Sequence, residues 1–326
     1  MKLLVFGGTV FLGKHVVDAA LTAGHEVAVF HRGIAQPIPT PGVEWLRGDR
    51  DGDLTALNGR RFDAVIDCSG YTPQQLSASA AALAGRVGHY LFVSTRSVYR
   101  SFKPHEDFDE SAAVLDGAEG YGALKARSEE AIQAALPNHV TIVRPGLIVG
   151  PFDPTGRFTY WPLRIERGGD VLAPGRPQRM VQFIDARDLA SWCVTMAAGP
   201  PSGVFNVVGP SLSMVALLDA IHGVTGGDMR LHWMSDALLL ANEVRPWTEL
   251  PLWLPESDMD FGGLMHGSDR RATAAGLVKR PIEDTIRDTL AWASSPDVHT
   301  PKAVATMTAS RESELIALLA AGDAAP

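Results

Sequence analysis

Short apolar runs alternate with longer amphipathic stretches through the first half of this chain. Residues 2–6, KLLVF, form the first run. Residues 25–30, 43–47, 62–67, 89–94 and 140–144 form five more of strand length. Helical patterns lie between them, from about residue 12 through 20, over 73–84 and over 121–136, the last stopped by Pro137. Buried strands alternating with helices predict a parallel sheet covered on both faces. Such sheets bind ligands beyond the carboxyl ends of their strands, so the residues just after each strand are the informative ones.

The second half reads less regularly. Helices are predicted over 185–197, with Asp185 as N-cap, over 213–224, with Ser213 as cap, and over 282–292 and 311–320. Strands are predicted over 204–208 and 229–234. Residues 151–177 are rich in Pro, Gly and Arg and follow the sixth strand, which predicts a substrate loop carrying a short helix over 158–167. Residues 245–255, with Trp247 and Trp253, either wall a pocket or pack as an irregular segment.

The first run leads straight into a glycine turn, Gly7, Gly8 and Gly13, and then into an apolar helix. Strand, glycine turn and helix open a dinucleotide-binding βαβ unit: the glycines let the backbone approach a pyrophosphate, and free N–H groups at the helix start face that anion. Thr9, Phe11 and Leu12 lie within the turn and join Gly7 and Gly13 as candidate cofactor contacts.

Composition narrows the class. The chain has 326 residues, 46% hydrophobic and 20% charged, ordinary values for a globular protein. A net charge of −8 gives nucleic acid no electrostatic attraction, so no nucleic-acid partner is expected. No apolar run reaches the roughly 20 residues of a membrane span, and the N-terminus reads as a strand rather than a signal peptide. Two cysteines, Cys68 and Cys193, supply neither a disulfide framework nor a metal cluster, and the ten histidines lack ligand spacing. A reducing cytoplasm is the simplest location, and no metal is expected.

After the second strand comes His31-Arg32-Gly33, without the carboxylate that usually binds the adenosine ribose hydroxyls of NAD. Arg32 is suited to a 2′-phosphate, favouring NADP(H) over NAD(H), or is a solvated loop residue. After the third, Asp49 is placed to accept from the adenine amino group or forms a surface turn, with Arg50 beside it. After the fourth come Cys68, Ser69 and Gly70, small residues along which a cofactor can lie; Cys68 reads as a small buried residue rather than a reactive thiol. After the fifth come Ser94, Thr95, Arg96 and Ser97, and after the sixth Pro145, Gly146 and Leu147. Tyr121 and Lys125 are four apart on one helix face. An ammonium so placed lowers the phenol pKa, and the phenol can exchange a proton with a substrate hydroxyl or carbonyl.

These stretches, GGTVFLG at 7–13, VSTRSVY at 93–99, YGALK at 121–125 and RPGLIVGP at 144–151, resemble the short-chain dehydrogenase/reductase superfamily in its extended, epimerase/dehydratase-like branch. FIDARDLA at 183–190 and VFNVVG at 204–209 extend the likeness to about residue 295. The resemblance implies an α/β fold: a Rossmann-type doubly wound parallel sheet, 1–150 plus about 181–210, with a smaller C-terminal substrate-binding domain, about 151–180 plus 211–326. It implies Thr95 as the catalytic Ser/Thr, Tyr121 as general acid/base and Lys125 as its partner, which also holds the nicotinamide ribose. It places Ser94, Pro145 and Leu147 at the cofactor, and Thr95, Arg96, Phe158, Arg176 and Arg179 at a small-molecule carbonyl or hydroxyl substrate. Arg157, Arg164, Arg176 and Arg179 either bind an anionic substrate or are surface charges. The family often forms homodimers through the helix carrying Tyr121 and the one before it, and the alanine-rich face over 78–84 would allow close packing. Val10 replaces the middle glycine of the usual pattern, which marks an atypical subgroup.

Two reactions fit that resemblance. One is net reduction of a carbonyl with NADPH; the other is epimerisation of a nucleotide sugar with retained NAD. The Asp-Glu pair of dehydratases is replaced by Arg96-Ser97. The asparagine that nucleotide-sugar enzymes often carry after strand six is replaced by Pro145-Gly146-Leu147. Both substitutions, with Arg32, point to a reductase. Relatives of this glycine-turn type also include proteins described as RNA-binding, which keeps an NADP-binding regulatory or RNA-associated protein as a third option, against the acidic net charge.

Overall fold

The structure is a computed structural model and describes residues 1–34, 40–117, 119–199, 202–295 and 306–323. In chain order the first half forms β1 (Lys2–Phe6), α1 (Phe11–Thr22), β2 (Glu26–His31), β3 (Val43–Arg47), β4 (Phe62–Asp67), α2 (Pro73–Ala82), β5 (Val87–Val93), α3 (Tyr121–Ala135) and β6 (Val140–Pro145). Then come β7 (Leu147–Val149), α4 (Tyr160–Glu166), β8 (Gly169–Pro174), β9 (Met180–Val181), β10 (Phe183–Asp185), α5 (Ala186–Ala198) and β11 (Gly203–Val207). The chain continues through β12 (Leu212–Ser213), α6 (Met214–Thr225), β13 (Met229–Met234), α7 (Asp236–Ala241), α8 (Arg270–Ala274), α9 (Ile282–Ala293) and α10 (Ala309–Asp323). No helix among the described residues is long and apolar enough to cross a membrane.

Seven strands pair in parallel in the order β11-β6-β5-β4-β1-β2-β3. From β1 the chain steps outward to β2 and β3, then returns to β4 on the other side. The crevice between the ends of β1 and β4 is therefore the topological switch point, where this architecture binds ligands. Alternate residues of β1 serve opposite layers. Leu3 and Val5 pack with Val16 and Val17 of α1 and Leu189 and Cys193 of α5, whereas Leu4 and Phe6 pack with Leu76 and Ile132 beneath α2 and α3. Asp185 and Ser213 cap α5 and α6 as expected, accepting from Arg187 N and Ala216 N.

A second core gathers Val149, Phe158 and Trp161 with Met214 to Ile221 of α6, Trp253, Ile286 and Leu315. Parallel β8 and β13 form its sheet. Residues expected as a substrate loop thus include a buried strand: Val171, Leu172 and Ala173 have no exposure. The short strands β7, β9, β10 and β12 are too brief to show a period; each exists through its distant partner. Residues 270–277, expected with the C-terminal unit, return to the sheet side: Ala272 and Leu277 join the first core, and Trp192 Nε1 donates to Ala275 O at 3.2 Å.

Candidate active site

Backbone geometry at the end of β1 explains its glycines. Gly7 has φ +81°, and a Cβ there would meet Ser69 Cβ at 2.6 Å; a Cβ on Gly13 would lie 1.9 Å from the Gly7 carbonyl oxygen. The start of α1 therefore rests directly on the turn. Val10 occupies the N-cap position in extended backbone, without a side-chain cap, and no carboxylate sits in the first turn. Phe11 is held at φ 38°, a strained value for a non-glycine residue. An uncapped helix start without acid is suited to an anion.

A cleft of about 560 Å³ opens there. Gly7, Thr9, Phe11, Leu12, Gly13, Arg32, Asp49, Arg50, Cys68, Ser69, Ser94, Tyr121 and Lys125 line it, as placed from sequence. Gly70, Pro145 and Leu147 do not. The Gly70 carbonyl accepts from Lys125. Pro145 is buried in β6 opposite Val207, and Leu147 lines the neighbouring cavity.

Two lining residues have roles other than the ones expected. Arg50 is 7% exposed and its guanidinium is committed, both Nη atoms donating to Asp67 at 2.7 Å and Nε to Ser79 Oγ at 3.1 Å. It neutralises a fully buried acid rather than a cofactor. The Ser94 hydroxyl donates to Glu129, itself paired with Arg144. Asp49 accepts from Asp51 N at 3.1 Å, the surface-turn geometry, while also lining the cleft. Burial pushes the Cys68 thiol well above its usual pKa, which leaves it a small protonated residue. His31, Asp51, Tyr71, Gln75, Ile148 and Pro154 also line the cleft. Tyr71 was legible as a residue following the fourth strand; Pro154 and Gln75 arrive only through tertiary folding.

At the outer end, Gly33 (φ +80°) places its turn against Arg47, whose Nε would lie 3.2 Å from a Cβ there. His31 Nδ1 is buried without a hydrogen-bond partner. Arg32 and Arg47 make no ion pair among the described residues. Arg32 lines the cleft here with His31, Asp49 and Asp51, and burial beside Arg47 lowers the His31 pKa, which keeps that ring neutral.

Thr95 follows β5 and caps a short 3-10 turn, Arg96–Val98, its Oγ1 accepting from Ser97 N at 3.1 Å. That contact leaves the hydroxyl proton for another acceptor, and Tyr121 lines the same cavity beside Thr95. Tyr121, the first residue of α3, is about half exposed and lines both this cleft and a second cavity. Partial burial raises its pKa, Tyr71 adds to the rise, and the neighbouring Thr95 hydroxyl opposes it. The Lys125 ammonium, expected to lower the phenol pKa, is not among these influences. It is 3% exposed and donates to the Gly70 and Val93 carbonyls at 2.7 Å each, above the Phe92 ring. Burial brings its pKa down to about 8, with Asp67 and Glu129 pulling upward.

The second cavity, about 860 Å³, adjoins Thr95 and Tyr121. Arg96 lines it, as do Arg157, Trp247 and Leu254, so the 245–255 segment does wall a pocket. Three substrate assignments are corrected. Phe158 has no exposure and packs on Phe183, ring centroids 4.9 Å apart. Arg176 lies at the surface, paired with Glu256 at 2.8 Å. Arg179 is 2% exposed and donates to Leu254 O at 2.8 Å, behind the wall rather than in the cavity. Arg164 likewise is spent on buried Glu312 at 2.8 Å.

The model of the NAD dependent epimerase/dehydratase family matches residues 3–208. The chain belongs to that family. The match bears out the resemblance carried by the motifs, and solved structures bear out the Rossmann-type α/β fold. A putative epimerase from Burkholderia cenocepacia superposes with TM-score 0.68 at 19% identity, over 90% of this chain and 98% of that one. UDP-N-acetylglucosamine 4-epimerase from Methanobrevibacter ruminantium does so with TM-score 0.68 at 17% identity, over 89% and 97%. Among curated relatives, the 41 kDa chloroplast stem-loop binding protein b of Arabidopsis thaliana is 26% identical over 64% of this chain. The 2-alkyl-3-oxoalkanoate reductase of Stenotrophomonas maltophilia is 31% identical over 47% of it. These matches span 58% and 52% of the two relatives' own lengths.

Proposed function

We propose that this family member is an NADP(H)-dependent oxidoreductase that reduces a substrate carbonyl, or runs the reverse oxidation. The observation that carries the reading is the position of Tyr121, beside Thr95, at the junction of the two cavities. The glycine cradle and the uncapped start of α1 fit a dinucleotide pyrophosphate, and Arg32 in the cleft lining, with Arg47 behind Gly33, suits a 2′-phosphate. A bound nicotinamide dinucleotide supplies or accepts the hydride. Tyr121 delivers the proton to the carbonyl oxygen, and Thr95 orients that oxygen. Lys125, anchored on Gly70 and Val93, stands ready for the nicotinamide ribose.

The 2-alkyl-3-oxoalkanoate reductase relative supports net reduction, while the structural likeness to sugar-nucleotide epimerases supports a second reading, internal redox with retained NAD. The stem-loop-binding relative raises an RNA role, against which the net charge of −8 counts. The test is the cofactor state of the purified protein, followed by titration with NADPH and NADH. Reversible binding with NADPH preferred, and NADPH consumption with carbonyl compounds, is the expected outcome. Stoichiometric retained NAD with no use of added cofactor replaces this reading with the epimerase.

A further inference from the structure

Arg96 is a buried cation without a counter-charge. It is 5% exposed, forms no ion pair among the described residues, and burial alone brings its pKa down to about 10. A guanidinium carries five donors; here Nη1 donates to Leu264 O at 2.9 Å and Nη2 lies 3.9 Å from the Met265 sulfur, a weak acceptor. An unpaired buried charge is costly, so such a group is kept where something completes it. Arg96 lines the cavity and is the residue next to Thr95 in the chain.

A second arginine reaches the same space. Arg157 lines the cavity over the Trp247 ring, 5.6 Å from its centroid, and its Nε is buried without a partner. Asp153 feels its charge but takes its hydrogen bonds from Thr155. Arg100 and Asp260, both exposed, also line the cavity, and the rest of the wall is largely apolar, with Phe102 and Phe261 stacked at 6.4 Å.

We infer that this cavity selects an oxo acid with an apolar body, its carboxylate held by Arg96 and Arg157 and its carbonyl presented to Thr95 and Tyr121. The inference rests on the oxidoreductase reading for the reaction, but the anion subsite stands on its own geometry. In the step, the carbonyl carbon gains the hydride and the oxygen gains the Tyr121 proton. The nicotinamide dinucleotide is oxidised in exchange, solvent reprotonates Tyr121, and the product is a hydroxy acid.

The probes are 2-oxo-4-phenylbutanoate, 4-oxo-4-phenylbutanoate and their ethyl esters, which keep the carbonyl and the apolar body but lose the charge. Binding is read by tryptophan fluorescence and calorimetry, separately from NADPH oxidation. At least one acid is expected to bind roughly 10-fold or more tighter than its ester. Arg96→Met should erase that preference while NADPH binding is retained. Arg157→Gln, at a half-buried position, should reduce it while the melting temperature stays close to wild type. Equal binding of acid and ester, no binding of either acid, or preference unchanged in both variants overturns the subsite. Acid-selective binding without NADPH oxidation keeps the subsite and removes the reductase reading. Equal reduction of acid and ester keeps the reductase and removes the subsite.

Discussion

The Lys125 ammonium donates a 2.7 Å hydrogen bond to the Gly70 carbonyl, across 55 residues of chain. That bond ties α3 to the loop after β4, so the lysine couples the helix that carries Tyr121 to the wall of the cofactor cleft. Burial holds its pKa at about 8, whereas a lysine in an unfolded chain titrates near ~10.4. Between those values the unfolded chain binds more protons, so this group's contribution to stability rises with pH from about 8 upward and is flat below. The melting-temperature difference between wild type and Lys125→Met should therefore grow in favour of wild type from pH 8 to ~10. A difference independent of pH would show that Lys125 titrates normally.

Tyr121→Phe removes the proposed proton donor and little else, because the residue is half exposed. General acid–base groups contribute about 100- to 10,000-fold. Turnover should fall within that range, with dinucleotide affinity nearly unchanged by fluorescence titration. Full turnover in the variant would exclude Tyr121 as the acid.

Arg32→Ala should weaken NADPH binding by roughly 10- to 100-fold, the value of hydrogen bonds to a charged group, while NADH affinity stays within a few-fold. Equal weakening of both cofactors would place Arg32 away from the 2′-phosphate.

Gly13→Ala puts a Cβ 1.9 Å from the Gly7 carbonyl oxygen, which is backbone and cannot swing aside. Overpacking of this kind costs about 1–3 kcal/mol, and here it also opens the anion cradle. Loss of dinucleotide binding together with a lower urea midpoint is expected. A variant that binds cofactor normally would show that the start of α1 does not contact it.

Asp67 is wholly buried; burial acts to raise its pKa, but bidentate Arg50, Tyr90 and Ser69 N outweigh it and hold the carboxylate ionised. Arg50→Ala strands that charge and should cost about 3–5 kcal/mol. Arg50→Met with Asp67→Leu should recover most of that loss in urea unfolding. A small effect of the single variant would mean that water or a shifted side chain replaces the arginine.

What the sequence by itself determined is the first half and its machinery. Strand runs such as KLLVF, the glycines at 7 and 13 and the Tyr121–Lys125 pair are local patterns, and residues after β1 to β5 line the cleft because a parallel sheet puts those ends on one edge, while Gly146 and Leu147 after β6 line the neighbouring cavity. Charges were another matter. Arg50, Arg96, Arg157, Arg164, Arg176 and Arg179 are one residue type in a linear reading, and only the tertiary structure separated them. Arg50 and Arg164 meet buried carboxylates, Arg176 meets one at the surface, and Arg179 lies behind a wall. Arg96 and Arg157 alone of these reach the cavity. An arginine's role depends on which distant residue comes within hydrogen-bonding range, and nothing local records that. The same reason hid the buried strand β8 and the fate of Phe158: their partners, β13 and Phe183, are brought to them by the fold.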